Sequence, residues 1–441
     1  MMARRHVIVG GGTAGLNAIL PIREHDRGES KIVLVSAERP YSRMVLPYYL
    51  GRTIAESHVF TATPARLTQL GVHTHIGRRA VRLEAAANRL TLDDGTALTY
   101  DDLLIATGSS AVRAPVPGAD GPGVHSFWTL EEARGVLAGI RPDSHVVMVG
   151  AGFIAFTILN AILALRARLT IVEIAPRILP RMVDAAAAEL VEVWLRRHGV
   201  GVRTRATLTA IEEAGDRKRL RLQGGEELVA DLIIMATGIR TNLEWLDGSG
   251  VRVNRGIVVD DRLRSSVPNV YAAGDVAEGR DLVTGEAAVH AIEPTAMEHG
   301  RVAGANMAGR DVAYRGSLLM NIVEVCHLDI ASFGAWDDPS AEAVTAVRPE
   351  RFAYRKLLWR GDRLTGAMIL GKANDIWTTN DVGMLKGLVQ SGHGLASWKA
   401  HLARNPFNIK PAFIASGATA RLLPETVLGR PSVPAGRVAA E

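Results

Sequence analysis

Apolar positions fall in two rhythms along this chain. Val7-Ile8-Val9, Val146 to Val149, Leu169 to Val172 and Leu232 to Met235 are continuous apolar runs, the pattern of strands covered on both faces in a parallel sheet. The first two run straight into glycine-rich turns, Gly10-Gly11-Gly12-Thr13-Ala14-Gly15 and Gly150-Ala151-Gly152-Phe153-Ile154-Ala155, and each turn opens an apolar helical segment. Later the rhythm changes. Phe352 to Trp359 alternates, Gly361-Asp362 marks a turn, and Leu364 to Leu370 resumes, which predicts an antiparallel pair. The stretch from Val146 to Leu165 is free of charge and long enough for a membrane span,. The Gly150/Gly152 turn interrupts it, so it reads as a buried strand, a turn and an apolar helix.

Each turn has the chemistry of a pyrophosphate cradle. The first glycine (Gly10, Gly150) permits the strand-to-helix turn, and the second (Gly12, Gly152) lets backbone approach phosphate. The third position (Gly15, Ala155, with Ala14 beside the first) must be small so that helix and strand can pack. The helix N-terminus offers unpaired N–H groups and the positive dipole end. An acidic residue about 20 positions on should hold a ribose hydroxyl. In the second unit this is Glu173, whose carboxylate favours NADH over NADPH. In the first unit the expected position is Ser36, and Glu38, two residues later, is taken as the ribose ligand. The predicted fold class is α/β, with two Rossmann-like dinucleotide-binding domains and a C-terminal α+β domain.

Taken with further motifs, the chain from about Val7 to His393 resembles the FAD-dependent pyridine nucleotide reductases related to glutathione reductase, and within them the ferredoxin, rubredoxin and nitrite reductase flavoproteins. The resemblance also rests on Ile105-Ala106-Thr107-Gly108 and Met235-Ala236-Thr237-Gly238, on Tyr41-Ser42-Arg43, and on Gly274-Asp275. It implies that Asp275 holds a ribitol hydroxyl of FAD, that Arg43 lies beside flavin and pyrophosphate, and that the backbone of Val81 meets the adenine. Thr107-Gly108 and Gly238 would lead the chain between domains. The helix starting at Pro294 and running through His299 would aim its dipole at the flavin. The implied map is an FAD-binding domain over 1–113 and 242–320, an inserted NAD domain over 114–241, an interface domain over 321–415 and a tail over 416–441.

Absent groups narrow the reaction. The only cysteine is Cys326, and the segment from Tyr41 to Tyr48 contains no thiol where relatives with disulfide or peroxide chemistry carry one. Reduction through a cysteine is therefore excluded. Cys326 is expected in a strand of the interface domain, with His327 on the opposite face, where it would act as a small hydrophobe. No Cys/His cluster has ligand spacing, so no metal is expected. Relatives also place a Lys near the flavin and a Glu on the NAD-domain helix, where this chain has Tyr48 and Thr157. Tyr48 could donate a hydrogen bond near the flavin or pack beside Pro47 and Tyr49, and packing is favoured. Phe153 reads equally as a cover for the flavin or as a helix-packing ring.

Charge and composition add a partner and a place. Val347 to Glu441 carries 14 Lys/Arg against 6 Asp/Glu, while the whole chain is only +5. A basic C-terminal region beside the flavin would steer an acidic carrier, although a solvated arginine-rich surface explains it too. Trp398, Arg404 and Phe407 could close over the flavin or dock that partner. No nucleic-acid motif accompanies the charge. One cysteine suits a reducing compartment, and the apolar run after the basic start is cut by glycines, unlike a secretory signal, so a cytoplasmic protein is expected. The sequence points to a flavoprotein passing electrons from NADH through FAD to a ferredoxin- or rubredoxin-like carrier or small acceptor. Alternatives are an NADH oxidase or diaphorase using oxygen or quinone, and a slowly turning redox sensor. Homodimer formation is left open.

Overall fold

The computed structural model describes residues 3–418 apart from 27 and 374, so most of the expected tail lies outside the described residues. Two halves are built alike. In the first, five parallel strands take the order Val270–Ala272, Asp102–Ile105, Arg5–Val9, Lys31–Ser36, Val72–Ile76. In the second, five parallel strands take the order Gly201–Arg203, Arg168–Val172, His145–Val149, Leu232–Met235, Val124–Ser126. The continuous apolar runs are the central strands, as buried-on-both-faces patterning requires: Val7, Ile8, Val146 and Val147 are all at 0% exposure.

Each parallel sheet has helices on one face and a three-stranded antiparallel sheet on the other. In the first half the helices Thr13–Asp26 and Glu293–Met307 pack together against Ile8, Ile32 and Leu34, and the antiparallel strands between Ala80 and Thr99 cover Val7, Val9 and Val33. The two helices lie so close that a Cβ on Gly300 would meet the Ala14 carbonyl at 2.2 Å, and one on Gly304 the Ala18 carbonyl at 2.3 Å. In the second half the helix Phe153–Ala164 follows its turn directly, and the strands between Leu208 and Ala230 form the cover. The charge-free stretch is thus strand, turn and helix. No helix among the described residues is long and apolar enough to cross a membrane.

The chain leaves the first half along Ser109–Ala111 and returns along Ile239–Thr241, two short strands paired antiparallel. Asn242 fastens this crossing. Its side-chain amide donates to the Thr107 carbonyl (2.9 Å), its N–H to the Gly108 carbonyl (3.0 Å), and its side-chain oxygen accepts from Ser110 (2.7 Å).

The last unit is an antiparallel sheet of order Met320–Val325, Leu328–Gly334, Arg363–Lys372, Ala353–Arg360, Glu342–Arg348. Helices Ile376–Ser391, Ser397–Arg404 and Ile409–Ala415 cover one face, and the other face packs on the second half through Val325, Leu328, Tyr354 and Leu370. Cys326 and His327 are not strand residues, contrary to expectation. They are the two central residues of the hairpin turn between Val325 and Leu328, with φ of +48° and +64°. A two-residue hairpin of this kind needs positive φ at both positions, at a cost for residues other than glycine. Contacts with the second half offset that cost: Cys326 N–H donates to Asn160 Oδ1 (2.9 Å), and the Cys326 carbonyl accepts from Trp194 Nε1 (3.0 Å). Burial first, then Glu324, pushes the Cys326 thiol up to about 11, so it is protonated at neutral pH.

Candidate functional site

The two turns have one geometry. Gly10 (φ +118°) and Gly150 (φ +101°) each pass under a carbonyl of the opposite strand end. A Cβ would lie 2.1 Å from the Ala106 oxygen in the first and 2.4 Å from the Ala236 oxygen in the second. Those carbonyls belong to Ala106-Thr107-Gly108 and Ala236-Thr237-Gly238, so turn and strand-end motif define each other sterically. Gly12 and Gly152 face open space, with no atom within 4 Å of a built Cβ. Both cradles therefore fit a dinucleotide: bare backbone, a helix N-terminus and room for phosphate coincide.

The third position differs. A Cβ on Gly15 would strike the Gly10 carbonyl at 1.9 Å, whereas Ala155 is accommodated at 0% exposure. Ala14, also buried, contacts the Gly274 turn, where a Cβ would come within 3.1 Å of it.

The acidic positions differ more. Glu173 is 7% exposed, and both oxygens are bound by backbone, Oε2 by Ala151 N–H (2.6 Å) and Oε1 by Ala175 N–H (2.7 Å). Each oxygen retains a lone pair for a ribose hydroxyl. In the first half the loop amide of Gly11 donates instead to the neutral Ser36 hydroxyl (3.2 Å), which in turn donates to the Glu38 carbonyl (2.7 Å). Glu38 lies beyond it, half-buried, with Oε2 accepting from Tyr41 (2.7 Å). Tyr41 OH in turn accepts from Leu130 N–H (2.9 Å), which ties this corner to the start of the helix Leu130–Gly139. Burial, then Glu38, pushes the Tyr41 phenol well up, so it stays protonated and able to donate.

Val81 stands at a bulge, where the pairing of Ala80 with Leu92 shifts to Arg82 with Thr91. A bulged residue lacks ladder partners, which frees its backbone for a base edge. Arg43 Nε donates to the Trp128 carbonyl (2.9 Å), and its guanidinium lies beside Gly108, 3.6 Å from a built Cβ there.

Asp275 Oδ2 accepts from Ser109 Oγ at 2.6 Å, linking the Gly274-Asp275 turn to the strand that leaves the half. Behind it, His299 receives the Gly274 N–H on Nδ1 (3.4 Å), and its Nε2 then carries the proton toward Ser317 Oγ (3.3 Å). Burial, then the nearby His290, pushes His299 down to about 3, so the ring is neutral.

Sequence reasoning missed Glu293. It opens the helix Glu293–Met307, one residue before Pro294, and its Oε1 accepts from both Thr13 Oγ1 (3.0 Å) and Ser42 Oγ (2.6 Å). A carboxylate on that helix end cancels part of the positive end charge expected to face the flavin. The available signal was an acid immediately before a helix-starting proline. Ser109 was equally legible, as the residue following Thr107-Gly108.

Of the three side chains considered for the flavin edge, Phe153 is half-buried against the core of the second half, and the Thr157 hydroxyl is spent on the Ile154 carbonyl one turn back (2.7 Å). Tyr48 does not pack beside Pro47 and Tyr49. It projects from the short helix Leu46–Leu50 at 60% exposure, and Tyr49 turns instead to Glu56. A five-residue helix with Leu46 and Leu50 buried leaves its middle position outward.

The chain matches the sequence model of a family described as pyridine nucleotide-disulphide oxidoreductase over residues 4–305. It is 31% identical over 410 residues to the NADH-dependent phenylglyoxylate dehydrogenase subunit epsilon of Aromatoleum evansii, covering 92% of this chain and 96% of that one. It is 33% identical over 282 residues to the rubredoxin-NAD(+) reductase of Pseudomonas putida, covering 63% of this chain and 73% of that one. Among solved structures, a NAD-dependent persulfide reductase from A. fulgidus has a TM-score of 0.84 at 26% identity, covering 94% of this chain and 83% of that one.

Proposed function

The chain belongs to the pyridine nucleotide-disulphide oxidoreductase family, and we propose that this FAD-dependent NADH oxidoreductase carries electrons between NADH and an acidic protein redox carrier without a cysteine relay. The observation that carries the reading is the doubled cradle with no thiol beside it. One dinucleotide site is tied to the rest of its half by Asp275, Glu293 and Tyr41, and suits a resident cofactor. The other is completed by Glu173 alone and suits a visitor. FAD, when bound, supplies the step between two-electron hydride chemistry and single-electron transfer.

The protein's own contributions are positional. The Gly10–Gly15 turn would receive the FAD pyrophosphate, Asp275 and Ser109 its ribitol, and the bulge at Val81 its adenine. The Gly150–Ala155 turn would receive NADH, with Glu173 on the ribose and its charge disfavouring a 2′-phosphate. Working units of 1–113 with 242–320, 114–241 and 321–415 are supported by the paired strands Ser109–Ala111 and Ile239–Thr241, at which the chain leaves and re-enters the first half. A single cysteine supports a cytoplasmic location. The relatives support the carrier: one is named as a subunit of a dehydrogenase and another as a reductase of rubredoxin.

The test is NADH-driven reduction of an acidic ferredoxin or rubredoxin at increasing ionic strength. The reading expects KM for the carrier to climb steeply with salt while kcat holds, because screening removes steering. Salt-insensitive consumption of oxygen at the same rate, with the carrier left oxidised, would overturn it.

A further inference from the structure

The C-terminal sheet ends in a cleft that electron transfer does not use. It has a volume of about 570 Å³ and lies between the sheet end, the first turns of the helix Ile376–Ser391 and the segment entering Ile409–Ala415. Arg348, Arg351, Arg355, Lys372 and Lys410 line it, with Phe407 as a wall. The Arg348 guanidinium carbon sits 4.0 Å from the centre of the Phe407 ring and that of Arg355 5.1 Å from it, so two like charges are held against one ring.

Arg355 is 2% exposed. Its Nη1 donates to the Tyr354 and Leu370 carbonyls and its Nη2 to Asp381 (3.0 Å), while its Nε–H is buried without a partner. Leaving such a donor unmet inside a protein is costly. Asp381 answers Arg355 as a buried ion pair, with burial first pushing its carboxyl up against the pull of the guanidinium, and Asp375 also lines the cleft. Arg348, Arg351, Lys372 and Lys410 are exposed, and none has a carboxylate at ion-pair distance among the described residues.

The register places this cluster away from the first half. Arg348 pairs with Ala353 and Leu328 with Lys372, at the sheet end that carries the Cys326 turn. The first half meets this unit nearer the other sheet end, through Leu282 and Val283, which pack against the core that holds Leu318, Phe333 and Leu364. Five of the 14 Lys/Arg found from Val347 onward thus meet at this end of the sheet, and Phe407 belongs to the cleft they line.

We propose that the cleft binds a small phosphate-bearing anion of roughly mononucleotide size, with the four exposed cations at its mouth and the Arg355 guanidinium at its floor. Converging forked donors suit phosphate. The recess favours a small molecule over an acidic protein face, which could reach the mouth but not Arg355.

The test uses full-length FAD-loaded protein saturated with NAD+, so that both dinucleotide cradles are filled, and calorimetric titration with inorganic pyrophosphate and, separately, AMP. One site per chain is expected for at least one probe. Its affinity should fall roughly tenfold or more in Arg348→Ala and in Lys372→Ala/Lys410→Ala, with FAD content unchanged. Tighter binding of AMP than of pyrophosphate would indicate that the nucleoside is also held, and the reverse that phosphate alone is read; either supports the proposal. No binding of either probe would overturn it. So would binding undiminished in the variants, or binding confined to polyglutamate, which would make the surface a protein dock.

Discussion

The two dinucleotide cradles share a backbone and differ in how each is completed. In both, a glycine of positive φ passes under an alanine carbonyl and a second glycine is left bare. The Gly150 turn, proposed for NADH, is closed by one charged residue, Glu173, gripped by two backbone amides. The Gly10 turn, proposed for FAD, is closed by neutral Ser36, and the acids near it come from other positions: Glu38 two residues on, Asp275 from the returning chain and Glu293 from a helix far along the sequence. A site meant to release its ligand can be local and self-contained. A site meant to retain it gains from being assembled from distant segments, because loss of the ligand then exposes several contacts at once.

The largest effects should come from the crossed carbonyls. Gly10→Ala combines a positive φ with a Cβ 2.1 Å from backbone and should cost roughly 3 kcal/mol or more, leaving the first half misfolded and the protein colourless. Gly150→Ala faces a similar clash in the second half and should yield protein that is yellow but inert to NADH. Absorbance spectra of the two purified variants make the comparison, and a yellow Gly10→Ala protein would break it.

Gly12→Ala and Gly152→Ala probe the bare positions. With open space at both, each should stay within about 0.5 kcal/mol of the parent in denaturant unfolding of the FAD-free protein. Each should nevertheless lose its own dinucleotide, FAD in the first and NADH in the second. Loss of both ligands from either variant would show that the cradles are not independent.

Glu173→Ala sharpens the difference in closure. It leaves two amides without their acceptor and removes the charge that opposes a 2′-phosphate. Affinity for NADH should fall on the order of tenfold or more, with NADPH affected less, so the ratio of their KM values narrows. An unchanged ratio would remove Glu173 from the ribose site.

The smallest effect concerns the support behind Gly274-Asp275. His299 is held near 3 when folded, against an ordinary 6.5, so between those values the unfolded chain binds more protons and stability falls as pH drops. Between pH 7 and 5 this amounts to about 2 kcal/mol. His299→Gln should be less sensitive to acid by that amount, as read from urea midpoints at the two pH values. Equal sensitivity would mean that the ring is not buried neutral.

Local patterning made the parallel sheets and both turns legible, because continuous apolar runs followed by glycine admit few other structures. Glu173 was legible for the same reason: it ends a strand at fixed spacing from its turn. Glu293 was not, since its partners Thr13 and Ser42 lie some 250 residues or more away in sequence and only the packing of two helices brings them together. Cys326 and His327 were misplaced because neither is a typical residue for positive φ, and it is docking to Asn160 and Trp194 that sustains the turn. Tyr48 was misjudged because a one-turn helix gives no periodicity from which to read its outward face.

The central claim is that one dinucleotide resides and the other visits to reduce it. Anaerobic stopped-flow mixing of the FAD-loaded protein with NADH, and separately with NADPH, tests it most directly. The account predicts rapid bleaching of the flavin band by NADH, at least tenfold faster than by NADPH at equal concentration, and loss of that preference in Glu173→Ala. Flavin that stays oxidised for minutes with NADH, or bleaches equally with both, would contradict it.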